Sequence, residues 1–235
     1  KIIVNNGFKP DQYLRNIADL VNDGFENVIP VLDNKYEFDA FDQLMKKPCK
    51  MGVRVATEEE PMFEFYTSRL GIRSSEVVQF CKDNFSNQTK FQLHMLHFFV
   101  DTGIKDTTYY WGELKKGIKT YIELKRSFPE LQAINIGGGL PIRNSLGFEY
   151  DYKYMIHQIV SLLKEACGEE GIDEPDIFTE FGKYTVGESG ATVFSVLEQK
   201  QQNDSEIWYM VDNSLMNTLP DSWGIAERFI LLPIN

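Results

Sequence analysis

Short apolar runs rich in β-branched residues alternate with helix-patterned stretches along most of the chain, and this alternation limits the possible folds more than any other feature. Strand-like runs occupy Lys1–Asn5, Val28–Leu32 (with Pro30 inside it), Met51–Val55, Phe91–Val100, Ile134–Ile136 and Pro175–Thr179. Helices are expected between them. The first opens at Pro10 and Asp11, presents Leu14, Ile17, Leu20 and Val21, and ends at Gly24. Others are expected at Tyr36–Met45, at Glu76–Asp83 with Ser74 or Ser75 as cap, at Thr107–Arg126 and at Tyr152–Glu169. The stretch from Thr57 to Ile72, rich in Glu and aromatics, reads as a loop. Strands separated by helices argue for a parallel sheet covered by helices, the α/β class, with six strands on this pattern. After Gly190 the pattern changes. Thr192–Leu197 and Ile207–Val211 read as strands joined by the polar Gln199–Ser205 without a helix. The expected division is an α/β domain over residues 1–190 and the beginning of a β-type domain over 191–235.

The run Ile134-Asn135-Ile136 leads directly into Gly137-Gly138-Gly139, and Pro141 stops a helix from starting at once. Three glycines remove every Cβ from one turn, so the backbone can take φ > 0 and its N–H groups can approach a ligand closely. In α/β folds ligands sit beyond the carboxyl ends of the strands. The residues there are Arg54, Thr102, the Gly137–Gly139 turn, Glu180 and Lys183. Glycine N–H groups and the Thr102 hydroxyl suit a phosphate, and Glu180 suits a proton on a ring nitrogen. Together they fit a phosphorylated, nitrogen-containing cofactor.

Composition narrows the classes. The net charge of −11 disfavours nucleic acid and anionic membranes as partners and is compatible with a cationic substrate. Cys49, Cys81 and Cys167 are widely spaced and odd in number; they form no metal motif and point to a reducing, cytoplasmic setting. No run is long and apolar enough to span a bilayer, and no signal peptide is visible. With Lys1 opening a strand and Leu232–Asn235 reading as mid-element, the chain is expected to be a piece of a longer protein.

The order of these motifs resembles the barrel of the pyridoxal 5′-phosphate (PLP)-dependent decarboxylases of the alanine racemase and ornithine decarboxylase type. Lys1-Ile2-Ile3-Val4-Asn5-Asn6 looks like that barrel's third strand and Arg54-Val55-Ala56-Thr57 like the end of its fifth. Ser68-Arg69-Leu70-Gly71 is similar to the family's basic residue followed by an apolar residue and glycine. Ile136-Gly137-Gly138-Gly139-Leu140-Pro141 matches the glycine phosphate loop, and Glu180-Phe181-Gly182-Lys183-Tyr184 is similar to Glu-X-Gly-Arg-Tyr. Within the family, Asn5-Asn6-Gly7-Phe8-Lys9 and Ser214-Leu215-Met216-Asn217-Thr218-Leu219-Pro220-Asp221-Ser222-Trp223-Gly224-Ile225 resemble segments of the biosynthetic arginine decarboxylase branch.

The resemblance implies an incomplete (β/α)8 TIM-type barrel, about six of eight strands, followed by the start of a β domain. It implies that the complete protein converts L-arginine to agmatine and CO2 for polyamine biosynthesis, in the cytoplasm, as a homodimer or higher homo-oligomer, with Mg2+ as a further cofactor. Gly137, Gly138, Gly139 and Gly182 would offer N–H groups to the phosphate, with Thr102 standing where the family has serine and Lys183 where it has arginine. Glu180 would pair with the pyridine nitrogen, and Arg54 would orient the ring side of the cofactor. The family's stacking histidine falls on Phe99, which can stack but brings no protonatable nitrogen; His97 is expected on the other face as a core histidine. The lysine that carries the cofactor in the family would precede Lys1. The cysteine and acidic residue given by the partner subunit would follow Asn235. This chain as given is therefore expected to be inactive. Other readings are a decarboxylase for another basic amino acid or diaminopimelate, a non-catalytic binding homologue, and an unrelated barrel for another phosphorylated ligand.

Overall fold

The computed structural model describes residues 2–4, 7–57, 68–100, 102–224 and 226–234. The expected positions at Lys1, Asn5, Asn6, Asp101, Ile225, Asn235 and most of the 57–72 loop lie outside the described residues. The chain divides into two compact units. One comprises 1–140 with 151–181, the other 141–150 with 182–235.

In the first unit the order is β1 (Ile2–Val4), α1 (Asp11–Asn22), β2 (Val28–Leu32), α2 (Lys35–Leu44), β3 (Cys49–Arg54), α3 (Ser74–Phe85), β4 (Phe91–His97), α4 (Thr108–Ser127), β5 (Ala133–Asn135), α5 (Tyr152–Glu169) and β6 (Asp176–Phe178). The six strands lie in sequence order, every neighbour parallel. They form a curled half-barrel with helices between them, an incomplete (β/α) barrel. Its inner side is filled in a layer. Val31, Met95 and Ala133 are fully buried together, and Ile3 and Phe178 pack against them. The β3 member of this layer is Gly52, where a Cβ would stand 2.9 Å from Val31 Cγ2 and 3.3 Å from Met95 Cβ. Neighbours that large leave room for hydrogen only, which is why a glycine interrupts an otherwise apolar strand.

The helices follow their capping chemistry. Asn34 accepts the Glu37 N–H, Thr107 accepts the Tyr110 N–H and Asp151 accepts the Tyr154 N–H, starting α2, α4 and α5. The serines expected to cap α3 lie inside its first turn instead, because Arg73 holds the extended cap position. On α1 the buried stripe is Leu14, Ile17, Ala18 and Val21, while Leu20 is exposed; Ala18 completes the 3.6-residue period that Leu20 breaks. Gly117 sits mid-helix in α4 because the Phe98 ring occupies the place of its side chain, with Phe98 Cε1 2.5 Å from where a Cβ would be.

The second unit holds α6 (Gly182–Val186), the antiparallel pair β7 (Val196–Asn203) and β8 (Glu206–Val211), then α7 (Leu215–Thr218) and α8 (Asp221–Gly224). The segment expected to join two strands, Gln199–Ser205, is largely β7 itself; the turn shrinks to Asp204-Ser205. Alternation of apolar and polar residues carries no inside–outside signal here, since every β7 residue is exposed.

Candidate functional site

The carboxyl ends of β5 and β6 are bound together by a small network. Asn135, the last residue of β5 and buried, accepts the Gly137 N–H at Oδ1 (2.9 Å) and donates from Nδ2 to Glu180 Oε1 (2.9 Å). Glu180 N–H donates to Gly137 O at 2.9 Å. Only this orientation of the carboxamide serves one donor and one carboxylate at once. Gly137 and Gly139 take φ of +73° and +94°, in the left-handed region. Each glycine is also required by its neighbours. A Cβ would meet Phe99 Cδ2 at 2.7 Å from Gly137, Glu180 O at 2.7 Å from Gly138 and Gly103 Cα at 2.6 Å from Gly139. Ile104 N–H closes on Gly139 O at 2.9 Å, which fastens the turn carrying Thr102 beside the glycines.

Just past the end of β4, Phe98 turns to α4 and Phe99 turns the other way, its ring edge against Gly137 and the Arg54 guanidinium 6.0 Å over its face. β4 ends at His97, short of the expected Val100, and the residues beyond it are irregular. His97 is buried, and burial, then the Arg54 and Lys9 charges, push its pKa down to about 3, so the ring is neutral. The expectation that His97 faces away from Phe99 finds no support: the strand ends at His97, so alternation does not carry on to Phe99, and the Arg54 beside Phe99 also acts on His97.

The ends of β1 and β2 carry a second network that reading the sequence missed. Lys9 and Glu37 form an ion pair at 2.9 Å with both side chains fully buried. Lys9 Nζ also donates to Gly7 O (3.0 Å) and Val31 O (2.6 Å), so its three protons are all placed. Glu37 accepts the backbone N–H of Lys9 at 2.9 Å and of Asp33 at 3.0 Å. Asp33 Oδ1 in turn accepts the Gly71 N–H at 2.9 Å, and Ile72 N–H donates to Arg54 O at 2.8 Å. Arg54 is thus tied to the 68–72 segment and through it to Lys9.

Of the expected site residues, Arg54, Phe99, Thr102, Gly137, Gly138, Gly139 and Glu180 belong to the first unit and lie at its strand ends. The Gly137 N–H is taken by Asn135. Gly182 opens α6 in the second unit, and Lys183 there pairs with Glu227 at 2.9 Å. All three cysteines are buried thiols; burial pushes Cys49 and Cys81 up to about 12. Among the described residues no group of three or more His, Cys, Asp or Glu is placed to hold a metal ion, so Mg2+ finds no support. Among the same residues no helix is long and apolar enough to cross a membrane.

Half-barrel and strand ends define the class: a parallel α/β barrel whose glycine turn can cradle an anionic group next to a carboxylate and an arginine. The donor set fits a phosphorylated pyridine, with Cβ-free backbone for the phosphate and Glu180 for a basic ring nitrogen. Residues 1–187 match the model of the pyridoxal-binding domain of the pyridoxal-dependent decarboxylases, and the chain belongs to that family. Among its relatives is the biosynthetic arginine decarboxylase of Geobacter sp., 23% identical over 215 residues, which cover 85% of this chain and 34% of the relative. The chain thus spans about a third of the length of the curated relatives it matches. Similar solved structures include the biosynthetic arginine decarboxylase of Campylobacter jejuni, with TM-score 0.61 and 24% identity over 78% of this chain and 31% of that one. The lysine decarboxylase of Selenomonas ruminantium superposes with TM-score 0.72 and 19% identity over 94% of this chain and 55% of that one.

Proposed function

We propose that the protein carrying this chain is a PLP-dependent decarboxylase that converts L-arginine to agmatine and CO2, working as a cytoplasmic homo-oligomer in polyamine biosynthesis. Residues 1–190 form its PLP-binding barrel, without the barrel's first strands, and 191–235 begin its β domain. The observation that carries the proposal is the Asn135–Glu180–Gly137 network at the strand ends, where a Cβ-free turn and a carboxylate are held in one piece.

The cofactor's ring takes up the electrons left when CO2 departs. The chain's own residues hold it ready for that. Gly138 and Gly139, with the Thr102 hydroxyl, would hold the phosphate, while Gly137 shapes the turn. Glu180 would accept a hydrogen bond from the protonated ring nitrogen and hold the proton there. Phe99 would cover a ring face, and Arg54, held over Phe99, would orient the ring side. For Gly182 and Lys183 the proposal rests on the resemblance alone. Arginine is favoured over other basic amino acids by the relatives' activity and by the Gly7–Lys9 and Ser214–Gly224 segments.

The test is a panel of arginine, lysine, ornithine and diaminopimelate given to the full-length protein with PLP, with CO2 release and product identity as readouts. Agmatine from arginine is expected. Release from another amino acid would move the substrate, and no release with PLP bound would favour a binding homologue.

A further inference from the structure

We propose that Asn135 is a positioning residue that aims Glu180 at the cofactor's ring nitrogen and, through the same carboxamide, fixes the glycine turn that grips the phosphate. The inference rests on the PLP reading above and deepens it.

The carboxamide is buried at the very end of β5, and both its polar atoms are used on partners from two different strand ends. Glu180 follows β6, is solvent-accessible, and lies on a segment whose backbone N–H already leans on Gly137 O. A flexible carboxylate at an exposed position loses rotamer freedom only if something holds it. The Asn135 Nδ2–H donor does this. A carboxylate held in one direction can meet the N–H of a protonated pyridine with both partners aligned. The other end of the carboxamide holds Gly137 N–H, which turns φ of Gly137 positive and swings Gly138 and Gly139 into place. One neutral side chain therefore sets the distance between the two ends of the ligand. Aspartate would keep the acceptor for Gly137 but would face Glu180 with like charge.

The experiment compares two ligands on the full chain at about pH 8: PLP, and its carbocyclic analogue with carbon in place of the ring nitrogen. Both carry the phosphate, and only PLP can use Glu180. Asn135→Asp is expected to weaken PLP by at least about tenfold, the scale of one hydrogen bond to a charged group, and the analogue by less than about twofold. Asn135→Ser is too short to reach Glu180 but its hydroxyl can still accept the Gly137 N–H two residues on, so it should give the same selective loss. In a Glu180→Gln background either change should add less than about twofold for PLP, because its route of action is gone. Equal weakening of both ligands, or of neither, would overturn the positioning role while leaving the PLP reading intact. If the unaltered chain binds neither ligand, the PLP reading falls and this inference with it.

Discussion

The two ends of this half-barrel bury polar groups in opposite ways. At β1 and β2, Lys9 and Glu37 cancel each other's charge in full burial, and each proton and oxygen has a backbone or side-chain partner. At β5 and β6 a neutral amide, Asn135, sits between a backbone N–H and a carboxylate that stays accessible, above a turn stripped of side chains. The first arrangement is closed and can only hold strands together. The second leaves the Glu180 carboxylate and the Gly139 backbone exposed, with Gly137 and Gly138 buried beneath them, an arrangement a ligand can reach from one side. A closed ion pair and an open carboxylate thus sit at different strand ends of one sheet, joined through Asp33, Gly71 and Arg54.

Breaking the closed end should cost most. Glu37→Leu leaves Lys9 charged and buried without a counter-ion, and the fold should lose about 3–5 kcal/mol in denaturant titration. The double change Lys9→Met with Glu37→Leu should recover much of that loss. If the single change costs less than about 1 kcal/mol, the closed end is not a lock.

At the open end Gly139→Ala should act on both stability and binding. Its φ of +94° and the 2.6 Å approach to Gly103 Cα admit no methyl without a backbone shift. A loss of roughly 1–3 kcal/mol is expected from strain of this kind, read by thermal unfolding, together with loss of phosphate-dependent ligand binding. A variant that binds PLP normally would separate the turn from the site.

Between the two ends lies His97. Its folded pKa, about 3, is depressed below the ordinary 6.5, so the unfolded chain binds the extra proton across the window between those values. Stability should therefore fall as pH drops through that window, by about 1.4 kcal/mol per pH unit at most from this group. His97→Gln should flatten that part of the acid limb. An unchanged slope would mean that His97 titrates alike in both states.

The smallest effect is expected at Phe99. Its stacking is worth about 0.5–1.5 kcal/mol beyond burial, so Phe99→Ala should weaken PLP only several-fold, measured by ligand fluorescence. Phe98→Ala, which empties the contact with Gly117, should instead lower stability and leave affinity almost unchanged.

The sequence was most readable where local chemistry decides the outcome. The α5 bounds, the β2 run and the glycine turn follow from periodicity, branched side chains and missing Cβ atoms. Decisions that depend on distant partners were not readable. Lys9 and Glu37, 28 positions apart, each look like a solvated charge; the only hint was Asn34 three residues before Glu37, the spacing of a cap. Asn135 reads from the sequence as a strand residue, which it is, but its second role is invisible there because Glu180 is 45 positions away. Its signal was a single amide amid the apolar Ala133–Ile136 run. β7 extends through the polar Gln199–Asn203 because an exposed hairpin needs no apolar alternation.

The central claim is that Glu180, held at the open end, keeps a proton on the ring nitrogen of bound PLP. Nitrogen-15 NMR of ring-labelled PLP bound to the full chain reads that proton directly at neutral pH. A protonated-pyridine shift is expected in the unaltered chain and an unprotonated one in Glu180→Gln. The same ring-nitrogen shift in both would contradict it.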